Sequence, residues 1–185
     1  MTSASPEDEF IGVGDSNKVL SPTISVEEEE TMRVYIDMDN VLVDFQSGID
    51  KLDEATRRKY AGKLDEVPSI FSKMEPMDGA IKAFEAIADE HDVFILSTAP
   101  WGNPSAWSDK LNWVKEHLGP PARKRLILSH HKYLVQGDVL IDDRRKRGAG
   151  AFSGRHIHFG HDHETNEAHE FPTWESVLRE LDAIS

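Results

Sequence analysis

The segment RVYIDMDNVLVDF, residues 33–45, decides how the rest of the chain is read. It opens as an apolar strand, then sets Asp37 and Asp39 one residue apart at the tip, with Asp44 five residues further on. A carboxylate at the end of a buried strand is costly to hold ionised unless a charged partner faces it, and neighbouring carboxylates also repel each other. Either a cation sits at this tip or the segment is not a strand.

Working outward, apolar strands alternate with helical stretches. A polar, helical-looking segment runs from about Ser47 to Ser72, and a helix follows over 78–90 with Ile81, Phe84, Ile87 and Ala88 on one face. DVFILS (92–97) is a near-continuous apolar strand that runs into Ser97 and Thr98. Helical spacing returns over 104–118 at Trp107, Leu111, Val114 and Leu118, and Gly119-Pro120-Pro121 stops it. RLILS (125–129), DVLID (138–142) and RHIHF (155–159) read as three more short strands. TWESVLREL (173–181) reads as a closing helix with Thr173 at its N-cap, Ser176 standing where a full capping box has Glu or Gln, and a stripe of Trp174, Val177, Leu178 and Leu181. Strands that are apolar throughout and alternate with helices predict an α/β fold: a parallel sheet of about five strands, covered on both faces. In such sheets the ligand crevice lies at the carboxyl ends of the strands.

The residues at those ends are of one chemical kind. The first strand ends in Asp37 and Asp39, the second in Ser97 and Thr98, the third is followed by Lys132, and the fourth ends in Asp142 and Asp143. The acidic members form an oxygen-only set suited to Mg²⁺, and the hydroxyls and the ammonium are what a phosphoryl group needs. An isolated Asp-x-Asp or Asp-Asp is a common turn, cap or solvated loop. The ordered set, each member at a strand end, carries the reading of a cation and a phosphoryl group.

Composition bounds the alternatives. A chain of 185 residues with 38% hydrophobic and 30% charged residues fits one globular domain. A formal charge of −13 argues against a nucleic-acid polymer or an anionic membrane as partner, and requires local positive charge for any anionic substrate. The absence of cysteine excludes disulfides, thiol catalysis and cysteine zinc sites. No apolar run approaches a membrane span. Residues 1–31, with Glu27–Glu30, read as a flexible acidic leader without the basic and apolar regions of a secretory signal, and the cytoplasm is the default compartment. Met32, directly before the first strand, reads as an alternative start that makes the leader dispensable.

DMDNVLVDF, FILST, HHK and LIDDR resemble the four ordered motifs of haloacid dehalogenase superfamily phosphatases. Val41-Leu42-Val43-Asp44-Phe45, MEPMDGAIKAFEAI, KLNWVKEHLG and VLIDDR narrow the resemblance to the 5′(3′)-deoxyribonucleotidases, over about Arg33 to Arg144 with a weaker echo in the Trp174 helix. The likeness implies a Rossmann-like fold over 32–185, with a helical cap inserted after the first motif, here 46–75. It implies a Mg²⁺-dependent phosphomonoesterase acting on deoxynucleoside monophosphates through an aspartyl-phosphate. Asp37 would be the nucleophile, and Asp39 the acid and then the base. Asp37, the Asp39 carbonyl, Asp142 and Asp143 would hold the metal, while Ser97 or Thr98 and Lys132 would bind phosphate. Phe45 matches a phenylalanine near the deoxyribose, where an apolar ring disfavours a 2′-hydroxyl; packing as a core aromatic is its other reading. Family members are often dimers, so the resemblance admits a homodimer.

Two departures stand out. Asn40 replaces the usual Gly at a position expected to need an unusual backbone conformation, for which Asn is the next most tolerant residue. The cap has only about 30 residues, room for two or three short helices, which leaves the crevice more open. Trp101 reads either as a platform for a base or phosphate or as a loop residue packed on the cap. His156, His158, His161, His163 and His169 match no zinc signature, and RRKR at 144–147 reads as a counter to local negative charge or a solvated turn. Sugar phosphates and other small metabolites are the alternative substrates. A receiver module is excluded by order, since receivers carry the acidic pair first and the phosphoacceptor on the third strand. A catalytically idle binding partner is disfavoured because every motif residue is present.

Overall fold

A computed structural model describes residues 30–146, 148–162 and 164–185. The leader expected over 1–31, together with His163 and Arg147, lies wholly or almost wholly outside the described residues. The strand of the deciding segment, β1 (Arg33–Ile36), is the centre of a five-stranded, all-parallel sheet. The other members are β4 (Asp92–Ser97), β5 (Leu126–Leu128), β6 (Val139–Asp142) and β7 (Arg155–His158), in the order β5-β4-β1-β6-β7. Having neighbours on both edges and cover on both faces explains why β1 shows no polar alternation: Val34, Tyr35 and Ile36 are all buried. The chain winds from β1 to β4 and β5 on one side, then crosses to β6 and β7 on the other. The point of reversal falls beside the carboxyl ends of β1 and β6, where Asp37 donates its N–H to the Ile141 carbonyl at 2.9 Å.

The two faces are covered differently. Val34, Ile36, Ile95, Ile141 and Ile157 face three helices, α3 (Ala80–Glu90), α4 (Ser105–His117) and α5 (Trp174–Ile184), in one continuous core. Tyr35, Leu96 and Leu140 face the other way and meet Ala149 and Phe152, in and beside a 3₁₀ turn over Ala149–Ala151. Both faces are covered as expected, but the second by 3₁₀ turns in the β5–β6 and β6–β7 connections rather than by α-helices. Helix α3 begins at Ala80 rather than at residue 78, because Gly79 takes φ 76° before it. In α5, Thr173 and Ser176 bond each other's backbone reciprocally, so serine completes the capping box that glutamate usually supplies. Helix α4 keeps the C-terminal half of its expected apolar stripe, with Val114 and Leu118 buried, and departs from it in the other half. Trp107 and Leu111 are largely exposed, and Ala106, Lys110, Trp113 and Val114 form the buried face.

Between β1 and α3 the chain forms an excursion. Two short strands, β2 (Val43–Asp44) and β3 (Glu75–Pro76), pair antiparallel and pinch its base. Beyond them lie α1 (Phe45–Asp50), α2 (Glu54–Lys59) and 3₁₀ turns at Leu64–Glu66 and Phe71–Lys73. Asp44 and Asp53 cap α1 and α2 through the amides of Ser47 and Thr56. Val67, Ile70, Phe71 and Met74 run into the main core. Gly48 is required there: a Cβ would stand 2.8 Å from Met74 Cγ and 3.3 Å from the Ile70 carbonyl.

Candidate active site

The carboxyl ends of β1, β4 and β6 open onto one cavity of about 300 Å³. Asp37, Asp39, Asn40, Phe45, Thr98, Lys132, Asp142 and Asp143 all line it, although they come from segments about 100 residues apart. Its opposite wall is Gly62, Lys63, Leu64 and Asp65 from the excursion, with Arg144 and Lys146 at its side.

The turn after β1 makes this convergence possible. Asn40 adopts φ 58°, the left-handed conformation expected of it, and its N–H donates to the Val43 carbonyl at 2.7 Å. The amides of Val41, Leu42 and Val43 all point at the Met38 carbonyl, which closes a tight loop and leaves the side chains of Asp37 and Asp39 aimed into the cavity. Asn40 Nδ2 also reaches Asp143 Oδ2 at 3.4 Å, tying the first motif to the last.

Lys132 is buried between two of the acids, its Nζ 2.9 Å from Asp37 Oδ1 and 2.5 Å from Asp142 Oδ2. Burial works to lower its pKa, but the charges of Asp37 and Asp142 outweigh burial and hold it above the ordinary lysine value. Burial and the Asp37 charge push Asp142 up to about 7 against the pull of Lys132. The Asp37–Lys132 contact is an ion pair without hydrogen-bond alignment, so Asp37 Oδ1 is buried with no hydrogen-bond donor.

One oxygen from each of Asp37, Asp142 and Asp143 lies within 4.8 Å of the others, and all three residues are buried. Three buried carboxylates supply the oxygen ligands a hard divalent cation takes, and the Lys132 ammonium between two of them offsets part of their mutual repulsion. The residues present fit such an ion. The Asp39 carboxylate stands apart from this cluster, with its Oδ1 2.7 Å from Lys110 Nζ. Burial raises its pKa, Lys110 opposes the rise, and the Asp37 and Asp143 charges add to it. A carboxyl with a raised pKa beside the Asp37, Asp142 and Asp143 cluster is equipped to hold and release a proton.

Lys110 was not among the residues the motifs singled out. It is fully buried on α4, donates to Asp39 and, at 3.0 Å, to Ser97 Oγ, and lies 4.5 Å from the centre of the Phe71 ring. The structure thus separates the two hydroxyls that were alternatives for phosphate. Ser97 is fully buried against Lys110 and does not line the cavity, whereas Thr98 does, donating its hydroxyl to the Ser129 carbonyl at 2.9 Å. The signal for Lys110 was its spacing from Ala106, Trp113 and Val114, which places it on the helix's buried face.

The remaining candidates fall as follows. Phe45 lines the cavity and also packs on Phe71, with ring centres 6.0 Å apart, so its two readings coexist. Trp101 is 88% exposed, touches His130 edge-on and does not line the cavity. His158 and His169 stack with centres 3.6 Å apart, and each has a ring nitrogen on a backbone carbonyl. Among the described residues they form no metal-holding group. Burial lowers His156 to about 4, with the neighbouring His158 adding to the shift.

The family profile "5' nucleotidase, deoxy (Pyrimidine), cytosolic type C protein" matches residues 63–179. A Vibrio phage KVP40 protein named "Putative 5'(3')-deoxyribonucleotidase" is 59% identical over 148 residues, 80% of this chain and 83% of its own. The human protein named "5'(3')-deoxyribonucleotidase, cytosolic type" is 32% identical over 143 residues, 62% of this chain and 71% of its own. A haloacid dehalogenase-like family hydrolase from Xanthomonas campestris superposes with a TM-score of 0.49 at 14% identity, over 83% of this chain and 97% of that one. The family profile spans well over half of the chain, the phage relative aligns with most of both proteins, and on these grounds the chain belongs to the 5′(3′)-deoxyribonucleotidase family of phosphomonoester hydrolases.

Proposed function

We propose that the protein hydrolyses deoxynucleoside monophosphates to nucleoside and phosphate through an aspartyl-phosphate, with Mg²⁺ as its metal and the cytoplasm as its compartment. The carrying observation is that the Asp37, Asp142 and Asp143 cluster opens onto the same cavity as Asp39, Thr98 and Lys132. The names of the phage and human relatives support the choice of substrate and, for the human one, of compartment.

Residues 46–75 act as a small cap over the strand ends, and their 62–65 stretch forms the wall that the nucleoside meets. Asp37, Asp142 and Asp143 would hold Mg²⁺. When bound, the ion supplies charge neutralisation, so that an anionic nucleophile can approach an anionic phosphate. Asp37 attacks phosphorus in line, and a P–O bond forms as the bond to the nucleoside oxygen breaks. Asp39, whose raised pKa favours the acid form, gives its proton to the departing oxygen. In the second step Asp39, now a carboxylate, takes a proton from water, which attacks phosphorus and releases Asp37 and phosphate. Lys132 holds Asp37 in place and faces the incoming negative charge, and the Thr98 hydroxyl beside it becomes a donor to phosphate by turning from the Ser129 carbonyl. Arg144 and Lys146 give the anion a positive approach on a protein of formal charge −13.

The test is phosphate release with Mg²⁺ from dGMP, dCMP, dTMP, dUMP, UMP and several sugar phosphates. Turnover strongest on the deoxynucleotides and abolished in Asp37→Asn is the expected result. Equal turnover in that variant would remove the assigned nucleophile. Sugar phosphates outrunning nucleotides would remove the substrate class.

A further inference from the structure

We infer that the acidic leader has a docking site on the body of the protein: residues 7–13, EDEFIGV, seat in the groove between α4 and the edge strand β5.

The groove is apolar inside and basic at its rim. Helix α4 lines it with Trp107, Leu111 and Val114 and β5 with Leu126 and Leu128, around a volume of about 940 Å³. Trp107, Leu111, Val114 and Leu118 form one stripe at helical spacing, yet only its second half is covered: Trp107 is 46% and Leu111 42% exposed. A contiguous apolar patch left open in this way marks a contact surface. Strand β5 pairs with β4 alone, so its outer edge has no neighbouring strand among the described residues, and such edges are commonly protected by a covering segment. Lys115, Arg123 and Lys124 line the same groove, and none of them has an ion pair among the described residues, on a protein of formal charge −13. The groove shares no residue with the cavity at the strand ends.

An acidic run joined to an apolar one fits this surface. Glu7, Asp8 and Glu9 lead directly into Phe10, Ile11 and Val13, and Phe10 is the only aromatic residue before Tyr35. Three carboxylates meet the three rim cations while Phe10 and Ile11 cover Trp107 and Leu111. The rival run, Ile24 to Glu30, has no aromatic residue and only two separated β-branched ones.

The leader also starts from the right place. Arg33, opening β1, and Arg125, directly before β5, hold the same Asp92 carboxylate at 3.4 and 2.5 Å. The chain therefore leaves the body at the end of the sheet where Arg123 and Lys124 stand. Strand β5 lies two places from β1, about 10 Å away. About 17 residues separate Val13 from Glu30, enough to span roughly 55–60 Å when extended. A tether of that kind holds the segment at an effective concentration on the order of millimolar, so a modest contact suffices to seat it.

The chain contains no cysteine, so introduced thiols meet no native competitor. The full-length protein carrying Phe10→Cys and Leu111→Cys is oxidised mildly at micromolar concentration, and the disulfide is read by intact mass and peptide mapping. Two reference pairs are treated alike: Phe10→Cys with Ala151→Cys, which is exposed on the turn covering the other face of the sheet, and Ile24→Cys with Leu111→Cys. Thermal unfolding checks that each variant is folded. The expected result is an intrachain disulfide that forms on the order of tenfold faster in the Phe10–Leu111 pair than in either reference, and that slows when Glu7, Asp8 and Glu9 are all changed to Lys. A rate no greater than that of either reference, or one indifferent to the charge reversal, overturns the inference. So do disulfide-linked dimers in place of the intrachain product, which would give the groove to a second copy of the chain.

Discussion

Lys110 is a buried ammonium with two partners, Asp39 Oδ1 and Ser97 Oγ, and with the Phe71 ring beside it. By facing Asp39 it opposes the rise that burial imposes on that carboxyl. On the proposed mechanism, in which Asp39 moves the proton, Lys110 acts through it as a positioning residue. In Lys110→Met the lowering influence is lost and the Asp39 pKa climbs further. The second step needs Asp39 ionised, so the acidic limb of the pH–rate profile moves to higher pH, and kcat at neutral pH falls on the order of 10²-fold. A purely structural lysine would lower Tm and leave the profile where it was. The same residue shows what is legible at this scale. Asp37, Asp39, Thr98, Lys132, Asp142 and Asp143 follow from their places at strand ends, which the chain order displays. Lys110 lies in mid-helix, where its partner is fixed by how α4 rotates against the cap, and no local pattern names that partner. Ser97 and Thr98 are adjacent in sequence and opposite in side-chain direction, so only the pleat of β4 tells them apart.

At the scale of elements, the cap and the β4–α4 loop behave as one unit. Asn103 satisfies the carbonyls of both Asp65 and Val67, and Trp113 Nε1 on α4 donates to the Met74 carbonyl at 3.0 Å. The 46–75 excursion is therefore stitched at its middle to the loop that leads into α4 and at its end to α4 itself. Asn103→Leu strips the Asp65 carbonyl of its donor and leaves the Val67 carbonyl with the Ile70 amide at 3.2 Å, and the expected cost is about 1–3 kcal/mol, read as a fall in Tm of several degrees. Because the cap wall loosens with it, KM for nucleotides rises more than kcat falls. An unchanged Tm would mean that the cap is held by its apolar contacts alone. The rotation of α4 was the element misjudged from the chain, and the reason is physical. Trp107 and Leu111 look like a core stripe by hydrophobicity, but they lie toward the edge strand β5, where little covers them. The face that matters carries a lysine and an alanine.

Across the whole molecule, the alternation of strands and helices fixed the parallel sheet and its reactive end, because period and order are properties of the chain itself. The turn-covered second face and the β2–β3 pinch were not visible, since two-residue strands and turns leave no period to read. The larger consequence of this fold is electrostatic. It gathers four carboxylates at one end of a sheet in a protein already at −13, with two buried ammonium groups among them. Asp142 carries part of that cost, its carboxyl pushed up to about 7 by burial and the Asp37 charge. In the unfolded chain an aspartate loses its proton near pH ~4. Between those two values the folded protein keeps a proton that the unfolded chain has released, so this group's contribution to stability falls as pH rises from about 4 to 7 and stays low above it. A divalent cation held by Asp37, Asp142 and Asp143 competes with that proton and binds the ionised cluster. Its stabilising effect must therefore grow with pH, as binding to the folded state alone raises Tm. The expected outcome is a small increase in Tm on adding Mg²⁺ at pH 5 and a clearly larger one at pH 8, with the difference reduced in Asp142→Asn. Equal increases at both pH values, or an increase untouched by that substitution, would place the ion elsewhere on this acidic protein.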